Sequence, residues 1–148
     1  MIEFQVEGLQ AIEAELLALG PKIGGRALQG ALTSAALPIV KEARAKVPLA
    51  HDAYRLHGGG MATPGWLRQQ IVRKKVRHSQ HSAQTIVTFR DQHQAYFWRF
   101  IEFGTSKMDM RPFMRPAFES AKQAALDRFV AVCQANIAKA RRKIHYTP

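Results

Sequence analysis

From Pro116 to about Ile144, apolar side chains recur at helical spacing with no glycine or further proline to interrupt them. Phe118, Ala121, Ala125, Phe129, Val132 and Asn136 trace one face, and Leu126, Val130, Cys133 and Ile137 widen it. That period predicts one long amphipathic helix, buried along one side. Pro116 suits its first turn, where a missing N–H costs nothing. Lys139, Arg141, Arg142 and Lys143 fall near its C-terminus, where cations complement the helix dipole. This basic cluster needs no ligand to explain it.

The N-terminal third is also helical in pattern. Leu9, Ile12, Leu16 and Leu19 align on one stripe of a helix from about Val6 to Leu19, ended by Gly20-Pro21. A second helix is predicted from about Lys22 to Lys46. Leu28, Leu32, Ala35, Ile39, Ala43 and Val47 keep the period, and Ala27, Ala31 and Ala36 add small side chains that permit close approach by a neighbour. Pro38 removes the bond to the Ser34 carbonyl, so a kink is expected there. Pro48 marks the end.

Periodicity then disappears between residues 49 and 64. Gly58-Gly59-Gly60 and Thr63-Pro64-Gly65 are the strongest breakers in the chain. A loop this long is usually functional or disordered. His51, Tyr54, Arg55 and His57 with Gly58, Gly59 and Gly60 mark it as a candidate flexible assembly loop, ordering against another subunit and open to limited proteolysis. Leu67 to Arg77 and Thr85 to Phe89 read as strands, joined by a hairpin loop at His78 to Ala83. Ala95 to Phe103 is ambiguous: Phe97, Phe100 and Ile101 share a helix face, whereas Phe97, Arg99, Ile101 and Phe103 alternate. A strand is the preferred reading. The sum is an α+β chain with two N-terminal helices, a small antiparallel sheet and a long C-terminal helix.

With 148 residues, 47% hydrophobic and 22% charged, the chain suits a single globular domain spanning 1–148. The lone Cys133 sits among apolar neighbours and reads as a small buried residue rather than a reactive thiol. No apolar run approaches the roughly 20 residues that cross a bilayer, and Met1-Ile2-Glu3-Phe4-Gln5 lacks a secretory pattern. A soluble protein made in a cytoplasm is expected. The unusual number is a formal net charge of +11, which attracts polyanions. The charge is spread along the chain, with clusters only at Arg73-Lys74-Lys75-Val76-Arg77 and at Lys139 to Lys143.

Catalytic groups are not apparent. Asp52, Asp91, Glu102, Asp109, Glu119 and Asp127 form no close pair suited to acid–base work. His78 and His81, or His51 and His57, lack the further ligands a zinc site requires. No nucleophile elbow, phosphate loop or dinucleotide fingerprint occurs. Neither paired zinc ligands nor an aromatic RNA-reading motif is present. The expectation is a protein that is not an enzyme and uses no cofactor or metal.

The most distinctive segment is Glu102-Phe103-Gly104-Thr105-Ser106, followed by Arg111-Pro112-Phe113-Met114-Arg115-Pro116-Ala117. It reads as a strand ending in a charge, a glycine turn, a short connection, and a proline-set start to the last helix. Arg111 and Arg115 are placed to reach Glu102 or a neighbouring subunit. The same residues also suit a rigid helix start that serves only the fold.

In these motifs the chain resembles the minor tail component, tail-completion and neck proteins of long-tailed bacteriophages. The similarity includes Val6-Glu7-Gly8-Leu9, Ala43-Arg44-Ala45-Lys46-Val47-Pro48, Gly65-Trp66-Leu67-Arg68, Glu102 to Thr105, and Arg111 to Ala117. It thus runs in order along nearly the whole chain. The link from Pro48 to Gly65 is longer than the family's short connection. The resemblance implies a structural virion protein acting in tail completion or head–tail joining, assembled in the bacterial host cytoplasm. It implies a homo-oligomeric ring, hexamer first and dodecamer second, touching other neck and tail proteins, with DNA in the channel as a candidate contact. Glu102, Phe103, Gly104, Thr105, Arg111, Pro112, Phe113, Arg115 and Pro116 are the candidate interface or junction residues. The alternative is a basic nucleic-acid-binding protein.

Overall fold

The computed structural model describes residues 9–76 and 83–146. In order they form α1 (Leu9–Ala18), α2 (Gly20–Lys46), β1 (Tyr54–Arg55), β2 (Met61–Ala62), α3 (Trp66–Gln70), β3 (Ile71–Val76), β4 (Gln84–Phe89), α4 (Trp98–Phe103) and α5 (Met114–His145). The strands make two small antiparallel sheets, β1–β2 and β3–β4, and the class is α+β as expected. In β1–β2, Tyr54 pairs with Ala62 and Arg55 with Met61. The expected hairpin loop at 78–83 and the start of the first helix at Val6 lie largely outside the described residues. No helix among those described is long and apolar enough to cross a membrane.

The chain divides into two compact units, neither contiguous in sequence. The first comprises residues up to Ala35, Lys75 to Thr85, and the chain from Leu126. Its core is Ile12, Ala31, Cys133 and Ile137, with Leu16, Leu19, Phe129, Val130 and Val132 packed around them. Small residues let the backbones approach closely. A Cβ on Gly24 would come within 2.5 Å of the Leu16 carbonyl oxygen, and Ala31 is fully buried. Polar groups close the packing: Asn136 Nδ2 donates to the Ala27 carbonyl at 3.1 Å. Gln29 Nε2 donates to Thr85 Oγ1 at 2.9 Å. Burial pushes the pKa of the Cys133 thiol up, and the Glu15 carboxylate adds to the effect.

The second unit comprises Ala36 to Lys74 and Ile86 to Ala125. Its core includes Val40, Ala43, Val47, Leu67, Ile71, Phe89, Ala95, Phe113 and Ala117. Phe89 is its centre, stacked on Trp98 at 5.1 Å and edge-on to Phe113 at 6.4 Å. Arg44 Nη2 donates to the Ile71 carbonyl at 2.7 Å, tying α2 to the start of β3.

Helix α2 continues through Pro38 without a break, as its in-phase periodicity beyond the proline requires. Four expectations change. The buried face along α2 and just past its end centres on Ala27, Ala31, Ala35, Val40, Ala43 and Val47, with Leu28, Leu32 and Ile39 only half-buried. Leu67 to Gln70 belongs to α3 rather than to a strand, because Gly65, at φ 89°, turns the chain into a helical segment before β3 begins. Ala95 to Phe103 is a turn followed by α4 rather than a strand. Asp91 sets this up, its Oδ1 accepting the backbone N–H groups of His93 at 3.1 Å and Gln94 at 3.0 Å, and Phe97, Phe100 and Ile101 then share a helical face. Finally, Phe118 is 52% exposed while Ala117, Ala121 and Ala125 face inward, so the buried stripe of α5 is offset by one residue at its start.

Candidate functional site: a capped junction and an adjoining trough

The junction between α4 and α5, within the second unit, is organised by Glu102. Its side chain comes from α4 and is 6% exposed, the one buried charged residue among those described. Phe113 donates its backbone N–H to Glu102 Oε2 at 2.8 Å, Met114 donates to the same oxygen at 3.0 Å, and Arg115 donates to Oε1 at 3.1 Å. These are the amides a helix leaves without internal partners at its start. Pro116 has no N–H to satisfy, and the Ala117 N–H already reaches the Phe113 carbonyl at 3.1 Å. One carboxylate and one proline therefore leave no orphan donor at the head of a helix of 32 residues. The negative charge also lies at the positive end of the helix dipole.

Of the two partners expected for Arg111 and Arg115, Glu102 or a neighbouring subunit, this geometry excludes Glu102. Both arginines are exposed, and neither forms an ion pair among the described residues. Glu102 is compensated by backbone dipoles instead. Spacing in sequence identified the three residues but not their partners, because a side chain reaching eleven to thirteen residues ahead leaves no local pattern.

Between the two helices the chain folds tightly back. Gly104 takes φ 73° and ψ 175°, a region open essentially to glycine alone. A Cβ there would stand 3.0 Å from the Met110 amide nitrogen and 3.1 Å from the Met108 carbonyl oxygen. Thr105 and Met108 bridge each other across a turn, with the Thr105 N–H donated to the Met108 carbonyl at 2.8 Å. The Arg111 N–H then returns to the Ile101 carbonyl at 2.7 Å. Phe113 is fully buried, while Phe103, Thr105 and Pro112 are exposed.

Residues 49–64, expected to order only against another subunit, contain the β1–β2 hairpin and pack on their own unit. Gly59 and Gly60 adopt positive φ at the tip, and the Leu56 N–H donates to the Gly60 carbonyl at 2.9 Å. Tyr54 meets Phe97 edge-on at 5.7 Å, and His57 meets Tyr96 at 5.8 Å and His93 at 5.6 Å. Burial holds the Tyr54 phenol above the ordinary tyrosine range. His51, Arg55, His57 and the three glycines are exposed.

The hairpin and the 104–111 connection, separate in sequence, line adjoining hollows of about 450 Å³ and 750 Å³. These share Ala50, Tyr54, Phe97, Ile101 and Met108, and so form one trough. Tyr96, Phe97, Phe100 and Met108 were not singled out by motif. The helical spacing of Phe97, Phe100 and Ile101 was the available signal. Among the described residues, no three His, Cys, Asp or Glu side chains converge as metal ligands. Comparison with family models, curated proteins and solved structures gave no match.

Proposed function

We propose that the chain is a structural subunit of a tailed-bacteriophage particle, acting mechanically in tail completion or head–tail joining as a member of a homo-oligomeric ring. The observation that carries this reading is the junction. The motif residues Glu102, Gly104 and Phe113, apart in sequence, lock into one capped turn that displays Phe103, Met108 and Met110 at the surface. A rigid turn carrying exposed apolar side chains suits assembly, since ordering costs are met before a partner arrives. A closed ring needs two different matching patches per subunit, and the exposed face at Phe103 and Met110, outside the trough lining, is a candidate for one. A hexamer is the first expectation and a dodecamer the second.

Disruption of the gene in its phage should leave separate heads and tails, or tails with defective ends, under the electron microscope. Normal infectious particles would sink the role. Portal, capsid and tail-tube genes beside this one would support it.

A basic nucleic-acid-binding protein is the second reading, favoured by the cation excess. The second unit alone holds thirteen lysine and arginine residues against six aspartate and glutamate. Binding to duplex DNA at low salt that weakens steeply as salt rises would support it. No binding at low salt would remove it.

A further inference from the structure

Exposed large apolar side chains concentrate around one place. Leu49, Met61, Tyr96, Phe100, Phe103, Met108 and Met110 all belong to the hairpin region, the turn before α4, α4 itself or the connection after it. Four of them, Leu49 at 52% exposure, Tyr96 at 47%, Phe100 at 45% and Met108 at 42%, line the trough itself. Its aromatic wall is held in place by its own contacts: Tyr96 is edge-on to Phe97 at 6.2 Å and to Phe100 at 5.9 Å. Side chains fixed in this way lose little freedom on binding. The rim carries the exposed cations Arg55, Lys107 and Arg111 against the single acid Asp109.

We propose that this trough binds a segment of a different protein in which large apolar side chains are flanked by aspartate or glutamate. The apolar floor takes the anchors, and the cationic rim selects acidic neighbours and repels basic ones. A second copy of this chain is disfavoured as occupant of this trough because the rim is itself cationic at Arg55, Lys107 and Arg111 and the chain offers it 22 lysine and arginine residues against 11 aspartate and glutamate. The sequence Ile2-Glu3-Phe4-Gln5-Val6-Glu7 nevertheless has the matching composition, so self-association is one outcome to be measured. Single-stranded nucleic acid is disfavoured because the trough is also lined by Leu49, Leu56 and Met108, side chains that pack against apolar groups but offer no face for stacking bases. The proposal goes beyond the virion role and stands whether or not that role holds.

The test uses the full chain and a short fluorescein-labelled peptide of repeating Glu-Leu-Glu-Phe, with a Lys-Leu-Lys-Phe peptide and oligothymidine as comparison probes. Fluorescence anisotropy should show binding of the acidic peptide and at least about tenfold weaker binding of the basic one. Phe100→Ala and the pair Arg55→Glu with Arg111→Glu alter exposed side chains only, and each should weaken acidic-peptide binding by about tenfold or more with unchanged circular dichroism. Equal affinity for both peptides, or binding indifferent to these variants, would overturn the proposal. So would preferential binding of oligothymidine abolished by Phe100→Ala. Sedimentation velocity without peptide completes the test: self-association removed by Phe100→Glu would assign the trough to a second copy and overturn the partner named here.

Discussion

Glu102 is the residue on which the start of α5 depends. Replacing it with glutamine keeps the shape but turns one acceptor into a donor facing other donors and removes the charge. Glu102→Gln should therefore cost about 2 kcal/mol, read as an earlier denaturation midpoint. Gly104→Ala should cost about 1–3 kcal/mol, since its backbone conformation excludes a side chain and the Met110 nitrogen lies 3.0 Å from any Cβ. Full stability in both variants would refute the account of the junction. Tyr54 gives a pH signature. Its pKa, raised in the folded state, means that the neutral phenol contributes stability that is fully present below the unfolded value of about 10. That contribution is lost as pH rises through the folded value. Ultraviolet titration should find one tyrosine ionising late, and Tyr54→Phe should abolish that late step.

Helix α2 shows how an element tolerates a local defect. Pro38 lacks an N–H inside a helix of 27 residues, yet burial of Ala35, Ala36, Val40 and Ala43 around it holds the helix together. Pro38→Ala restores the missing bond and should raise stability by about 1–3 kcal/mol, measured by thermal unfolding; a fall would mean that the proline's own shape is needed. The β1–β2 hairpin narrows the expected protease site. Its strands pair and Tyr54 packs on Phe97, leaving the Gly58 to Gly60 tip as the exposed stretch. Limited digestion should cut first at that tip, and an earlier cut elsewhere would count against it. The helices at both ends were legible in their period. Helix α4 was half-legible: its short apolar run satisfies both periods, and only the Asp91 turn and the packing of Phe97, Trp98 and Ile101 decide between them.

At the scale of the whole molecule, net charge governs association. With +11 on each chain, like copies repel at low ionic strength, and added salt screens the repulsion over roughly 10 Å at 0.1 M. The proposed ring should therefore form more readily from low to moderate salt in sedimentation experiments. Contact with DNA runs the opposite way, because each phosphate contact releases counterions that added salt opposes. Self-association that weakens with salt would show that attractive charge pairs, rather than apolar surfaces, drive it.

The sequence determined the long helices, the α+β class and the position of the α4–α5 junction, because period, proline and glycine act through the nearest few residues. Tertiary structure decided what the junction is made of. Glu102 turns from the expected arginines to three backbone amides, since those donors would otherwise be buried unpaired. It also brought the hairpin and the 104–111 connection to one trough. Both depend on side chains meeting across long stretches of chain, where no local pattern records which partner is nearest.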